Sequence, residues 1–339
     1  MIKPMQRTPR RNPSQLLVAG VVSALVSLIV ACGSGKPMKI AFIPQTEGTP
    51  FWEAAHTGAE AAVDSTGASL YWNAPTREDD VEAQIALVDR IVSANYQGLV
   101  LAPDQALSLI TPVRRALAHG ISTVIIGSPL PIPAGRNLSY ILNDDVEGGQ
   151  LAANRVAELL NGHGTVAILG INSDVSGIMI RAREFEQAIA QNYPGIRIVE
   201  KRMGSFNVPH ERQVAEDTLR TNENLDVIVA LMSTSIDGTL LALDTMAEKR
   251  LVKVIGFDDG ALPPFDQYKN LDCVIQEDTR AMGQQAIELI HTRMLGQSVP
   301  QTVRLHPRLI TRQNIKSPEV RLMFAPDWTL GRWRWSSIR

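Results

Sequence analysis

The sequence predicts an α/β protein made of two doubly wound parallel sheets, and three observations support this reading. From Met38 on, short apolar runs alternate with helical patterns. The runs are continuous in Val, Ile, Leu and Ala and do not alternate with polar residues, which is how strands buried on both faces read. Near Asn143 the alternation begins again, giving two series of about five strands each.

Residues 39–43 are the first strand. A helix follows from about Trp52, with Ala54, Ala55, Ala59 and Ala62 as its apolar positions. Residues 70–72 are the next strand. Asp79 or Asp80 is the candidate cap of a helix whose Val81, Ile85, Val88 and Ile91 share one face. Residues 98–102 form a strand. Thr111 reads as an N-cap with Pro112 as the first helical residue, and Gly120 ends that helix. Residues 122–126 and 139–142 are strands.

In the second series, Asp144 or Asp145 caps a helix running to Asn161 and Gly162. Strands are expected at 165–169, 196–199, 226–231, 252–257 and 273–275. Helices are expected at 177–191, from Pro209 to about 221, and at 238–248. Thr279 caps a last long helix ending near Gly296. In open α/β sheets, ligands sit outside the carboxyl ends of the strands. Two such lobes facing each other make a cleft.

The chain has 339 residues and a formal net charge of -2 with mixed signs, so no nucleic-acid footprint is visible. No Gly-x-Ser-x-Gly, His-Glu-x-x-His, P-loop or Cys-x-x-Cys motif occurs. The six histidines, His56, His119, His163, His210, His291 and His306, show no metal-ligand spacing. No cofactor or metal is expected, and no enzyme. Asn143, Asp144 and Asp145 suggest either a cation site or a helix cap, with the cap favoured.

The N-terminus carries Lys3, Arg7, Arg10 and Arg11, then an apolar stretch over 16–31 that closes on Cys32. This resembles a bacterial lipoprotein signal peptide. The resemblance implies cleavage after residue 31 and a lipid on Cys32; an ordinary signal anchor is the alternative. Residues 32–37, rich in Gly and Ser, read as a flexible tether. With Cys32 lipidated, Cys273 is left without a partner and no disulfide is expected.

Several ordered motifs carry a wider resemblance: the first strand followed by Thr49, Pro50, Phe51 and Trp52; Asn-Asp-Asp-Val-Glu-Gly-Gly at 143–149; Arg181 with Phe185; Val-Ile-Gly-Phe-Asp at 254–258; and Pro-Arg-Leu-Ile-Thr-Arg-Gln-Asn at 307–314. Over about 38–315 the chain resembles periplasmic sugar-binding proteins of the ribose-binding type, with the type I periplasmic binding fold. The resemblance implies a three-crossing hinge between the lobes. Lobe one is then 38–142 plus 278–305, and lobe two 143–277 plus 306–318. A Trp/Arg-rich tail, 319–339, follows the family body.

The same resemblance nominates ligand-binding residues. Phe51 and Trp52 offer aromatic faces to sugar C–H groups. Asp258, at a strand's carboxyl end, accepts hydroxyls, and the planar fork of Arg181 suits paired oxygens. Phe206 closes the site. Gln45, Ser128, Met232, Ser233 and Glu277 fall where the family has other contacts. Ser128, Met232 and Glu277 depart from the ribose pattern, so the ligand is expected to differ from ribose in size, polarity or hydroxylation. The function implied is a monomeric, lipid-anchored extracytoplasmic binding protein delivering a sugar-like molecule to an ABC permease. A sensor of the same fold, signalling to a membrane kinase or chemoreceptor, is the alternative. An extracytoplasmic enzyme is the third class, and the lack of a nucleophile–base set argues against it.

Overall fold

The computed structural model describes residues 37–77, 79–246, 251–257 and 263–324. The signal-like segment, Cys32, Asp258 and the tryptophans of the tail lie outside these residues. The chain forms two six-stranded sheets. In order, the first series is β1 (Lys39–Ile43), α1 (Pro50–Thr66), β2 (Ser69–Trp72), α2 (Val81–Ser93), β3 (Gly98–Leu101), α3 (Ile110–Ala118), β4 (Ser122–Gly127) and β5 (Leu138–Asn143). The second is α4 (Asp145–Leu160), β6 (Gly164–Ile171), α5 (Ser176–Asn192), β7 (Ile196–Met203), α6 (Val208–Thr221), β8 (Val227–Ala230), α7 (Ser233–Thr245), β9 (Lys253–Phe257) and β10 (Leu271–Gln276). Then come α8 (Thr279–Met294), β11 (Thr302–Leu305), β12 (Arg308–Thr311) and α9 (Pro318–Met323).

The first sheet runs β11-β5-β4-β3-β1-β2 and its pairs are parallel. The second runs β12-β10-β9-β8-β6-β7, with β12 antiparallel at one edge. Both faces of each sheet are covered, which explains the continuous apolar runs. In β1, Ile40 and Phe42 pack under α1 and α8, while Ala41 and Ile43 face α2 and α3. In the second sheet, Ile168, Val229 and Phe257 join the α4 and α5 side, and Leu169, Ile228 and Val254 the α6 and α7 side. Fully burying such a side chain contributes roughly 1.5–3 kcal/mol.

The chain passes between the sheets at three places: after Asn143, after Gln276 and after Leu305. At the first, Asp144 is the cap, its side chain accepting from the Glu147 amide at 3.1 Å. At the second, Asp278 and not Thr279 caps the helix, accepting from the Ala281 amide at 2.9 Å. At the third, β11 and β12 leave one sheet and enter the other within a few residues.

Three further local expectations are corrected. α3 begins at Ile110 with no side-chain cap, so Thr111 is not its N-cap. Pro112 is tolerated because the first helical amides have no intrahelical partner. Gly238 lies inside α7 and does not start it; glycine is needed there because a Cβ would stand 2.5 Å from the Arg212 amide nitrogen of α6. Residues 318–323 form a helix whose Val320 is buried in the second lobe's core, so the beginning of the expected tail packs as part of that lobe. Cys273 is free and buried, and burial pushes its thiol pKa well up.

Candidate functional site

A cleft of about 620 Å³ opens between the carboxyl ends of the two sheets. Its first-lobe wall comes from the β1–α1 loop and the ends of β3 and β4. Thr49 caps α1 by accepting from the Trp52 amide at 3.4 Å, with Pro50 in the first turn. That cap turns Phe51 and Trp52 into the cleft lining, with ring centroids 4.8 Å apart in an edge-to-face pair. Trp52 is the more buried, at 4% exposure, and belongs to the lobe's core; Phe51 is half-buried and offers the more accessible ring. Gln45 also lines the cleft, its amide donating to the Pro103 carbonyl at 3.0 Å. Gly127 takes φ 73° at the end of β4, and Ser128 follows it in the wall.

The second-lobe wall is built around charges. Arg181, on α5, donates from Nε to Asp145 at 2.6 Å and from Nη2 to Glu277. It also reaches the Leu231 carbonyl at 3.4 Å, with its guanidinium 5.2 Å from the Phe257 ring centroid. Side-chain exposures of 8% for Arg181, 6% for Asp145 and 4% for Glu277 make this a buried network. Such a network holds only if its charges are matched by good geometry. Met232 and Ser233 lie at the start of α7, beside Thr234. Thr234 donates to the Ser205 carbonyl at 3.0 Å. Glu211, 1% exposed, accepts from the Ser205 amide at 2.6 Å and from the Ser235 hydroxyl. These bonds fix the loop that carries Phe206 into the cleft.

At the rim, Asp79 of the first lobe has its carboxyl pKa raised, by burial first and then by the charge of Asp174 in the second lobe. Arg77 also lines the rim but is 81% exposed and stands 3.9 Å from Asp80. Outside the cleft, Asp144, Glu147 and His306 bring possible ligand atoms within 4.8 Å of one another. Here His306 and Glu147 make a direct contact at 2.5 Å, which raises the imidazole pKa.

Gln45, Phe51, Trp52, Ser128, Arg181, Phe206, Met232, Ser233 and Glu277 thus come together in one cleft from both lobes. Asp258 lies outside the described residues. Sequence reasoning weighed Asn143 and Asp145 only as a cation site or helix cap and did not nominate them as ligand contacts, yet both line the cleft. The signal was there: of three consecutive polar residues at a strand end, only one is needed as the cap.

The profile described as the periplasmic binding protein domain matches residues 40–298. The chain belongs to the periplasmic binding protein family. This periplasmic binding protein is similar to the D-apiose import binding protein of Paraburkholderia graminis, at 24% identity over 82% of this chain and 86% of the relative. It is similar to the D-allose-binding periplasmic protein of Escherichia coli at 26% identity, over 69% of this chain and 77% of that one. Its fold matches that of an ABC transporter solute-binding protein from Agrobacterium vitis, solved with α-D-tagatopyranose bound. That match has a TM-score of 0.77 at 24% identity, over 85% of this chain and 99% of the other. These relatives are binding proteins by name, and the family is one of binding proteins. Among its described residues, no helix is long and apolar enough to cross a membrane.

Proposed function

We propose that the protein is a lipid-anchored, extracytoplasmic solute-binding protein that captures a sugar or sugar-like polyol and delivers it to an ABC importer. The observation that carries the reading is the cleft itself: an aromatic pair on one lobe faces buried carboxylates on the other side. Aromatic rings match the C–H faces of a sugar, and ionised carboxylates accept its hydroxyls. The names of the apiose- and allose-binding relatives support the same class of ligand. Gln45, Phe51, Trp52, Ser128, Arg181, Phe206, Met232, Ser233, Asp258 and Glu277 are the proposed contacts. Arg181 also holds two carboxylates, Asp145 and Glu277, in place. The three crossings act as the hinge, and closure on the ligand forms the surface that the permease recognises.

A thermal-shift panel of pentoses, hexoses and polyols, with amino acids and purines as controls, tests this reading. A ligand at 100 times its dissociation constant stabilises the folded state by about 2.7 kcal/mol. A shift from amino acids or purines with none from any carbohydrate would sink the sugar assignment. Phe51→Ala is expected to weaken the best carbohydrate by about tenfold through the lost ring face, measured by calorimetry.

Anchoring rests on Cys32 behind its basic and apolar segments. One acyl chain gives only marginal membrane binding, so stable retention requires more than one. A tether this short keeps the lobes at high local concentration near a permease. Cys32→Ser is expected to abolish lipidation and leave either an uncleaved precursor or a soluble form. Mass spectrometry of the wild-type membrane fraction decides the point. Recovery of an unmodified Cys32 with residues 1–31 attached would identify a plain anchor.

A further inference from the structure

We propose that Asn143 is a specificity-determining contact, its side-chain carbonyl accepting one ligand hydroxyl at the hinge side of the cleft. The inference rests on the sugar reading above and adds a residue and a chemical requirement to it. Asn143 is 6% exposed and lines the cleft. Its Oδ1 is buried and has no hydrogen-bond partner among the described residues. A buried acceptor left unmatched is costly, and native proteins rarely keep one without a use for it.

Its position is fixed by backbone on both sides. Asn143 is the last residue of β5 and pairs with Leu305 of β11. The next amide, Asp144, donates to the Leu305 carbonyl at 2.9 Å. The residue therefore sits where the first and third crossings run together, on backbone held by the ladder. The cap function that explains polar residues here belongs to Asp144, so it does not account for Asn143.

The surrounding chemistry says what the missing donor is. Asp145 and Glu277 share the lining, and as carboxylates they too only accept. The guanidinium between them, Arg181, donates to both. This side of the cleft asks for a ligand edge rich in donors. A sugar hydroxyl fits, because it donates one hydrogen and accepts others. A ring ether or a carbonyl at the same place would leave Oδ1 facing another acceptor. A ligand bound through Asn143 also touches the point where the chain leaves the first sheet, so occupancy and hinge position are read by one residue.

The test uses calorimetry on the full binding protein with D-ribose, D-allose and D-apiose, and with the monodeoxy analogues of whichever binds best. Asn143→Leu keeps the branching at Cγ and removes the acceptor, and Asn143→Ala removes it without risk of a clash. Either variant, folded, is expected to bind the parent sugar about 10- to 100-fold more weakly than wild type. One monodeoxy analogue, lacking the hydroxyl that Asn143 reads, should bind wild type and variant equally. Wild-type affinity for the parent sugar in a variant would overturn the assignment while leaving the sugar reading intact. So would an equal loss across every deoxy analogue, since that reports a merely structural role. If no carbohydrate in the wider panel binds wild type at all, the sugar reading fails and this inference fails with it.

Discussion

Replacing Gly283 with alanine is expected to destabilise the first lobe by about 2–3 kcal/mol, although alanine is the better helix former. Helices α1 and α8 cross in direct backbone contact. A Cβ on Gly283 would stand 2.0 Å from the Ala55 carbonyl oxygen, and one on Gly58 would stand 1.9 Å from the Arg280 carbonyl oxygen. Both neighbours are backbone atoms, so no side chain can swing aside to make room. The helices must separate, and Ala55, Ala59, Ala286 and Ile287 then lose packing against the sheet. Glycine in a helix interior costs up to about 1 kcal/mol relative to alanine, so the close approach outweighs that cost. The two sites also couple. Once one substitution has spread the helices, the second finds room already made. Gly58→Ala with Gly283→Ala should therefore cost less than the sum of the single changes. Denaturant unfolding of the four proteins measures both terms. Strict additivity would show that the two contacts are independent.

The fold was legible in the sequence wherever strands are buried on both faces. β1, β3, β4 and β8 are buried along nearly all their length, and each reads as a continuous apolar run. β11 and β12 gave no such signal. Thr302–Leu305 and Arg308–Thr311 are edge strands with alternating exposure, so Arg304 and Arg308 interrupt any apolar run. β7 extends to Met203, beyond the predicted 199; its outer half opens with three charged residues, Glu200, Lys201 and Arg202, at the sheet edge, so no apolar run marks it as a strand. Gly238 misled for a different reason. A glycine that allows two helices to touch looks the same in sequence as one that bounds a helix.

The site was legible in its types and not in its wiring. Aromatic and acidic residues after strands mark a cleft, because strand ends are where α/β sheets leave room for a ligand. Which polar residue caps and which faces the cleft depends on a rotation of one residue at Asn143–Asp145, and composition carries no trace of that. The Arg181 pairing spans 36 residues to Asp145 and 96 to Glu277, beyond the reach of any local pattern.

That pairing carries the largest expected effect. Arg181→Met should destabilise the second lobe by about 3–5 kcal/mol, because it leaves two buried carboxylates without their shared cation. The loss is not simply that of one contact. Asp145 lies just past the first crossing and Glu277 lies in the second, so the guanidinium ties together two of the three passages between the lobes. Sugar affinity should fall by more than the lost contact alone, since both carboxylates lose the partner that aims them. Arg181→Lys should not rescue it. One ammonium is a single point charge, and it lacks the fork that reaches two acceptors on different segments at once. The decisive variant removes all three charges, as Asp145→Asn, Arg181→Met and Glu277→Gln together. With none of these three ions left buried, stability should recover most of the loss, while sugar binding should stay weak because the charged acceptors are gone. Unfolding curves and calorimetry on the same set of proteins separate these two outcomes. If Arg181→Met alone is as stable as wild type, the carboxylates are not held as a buried network. If the triple variant binds sugar as wild type does, the network serves the fold and not the ligand.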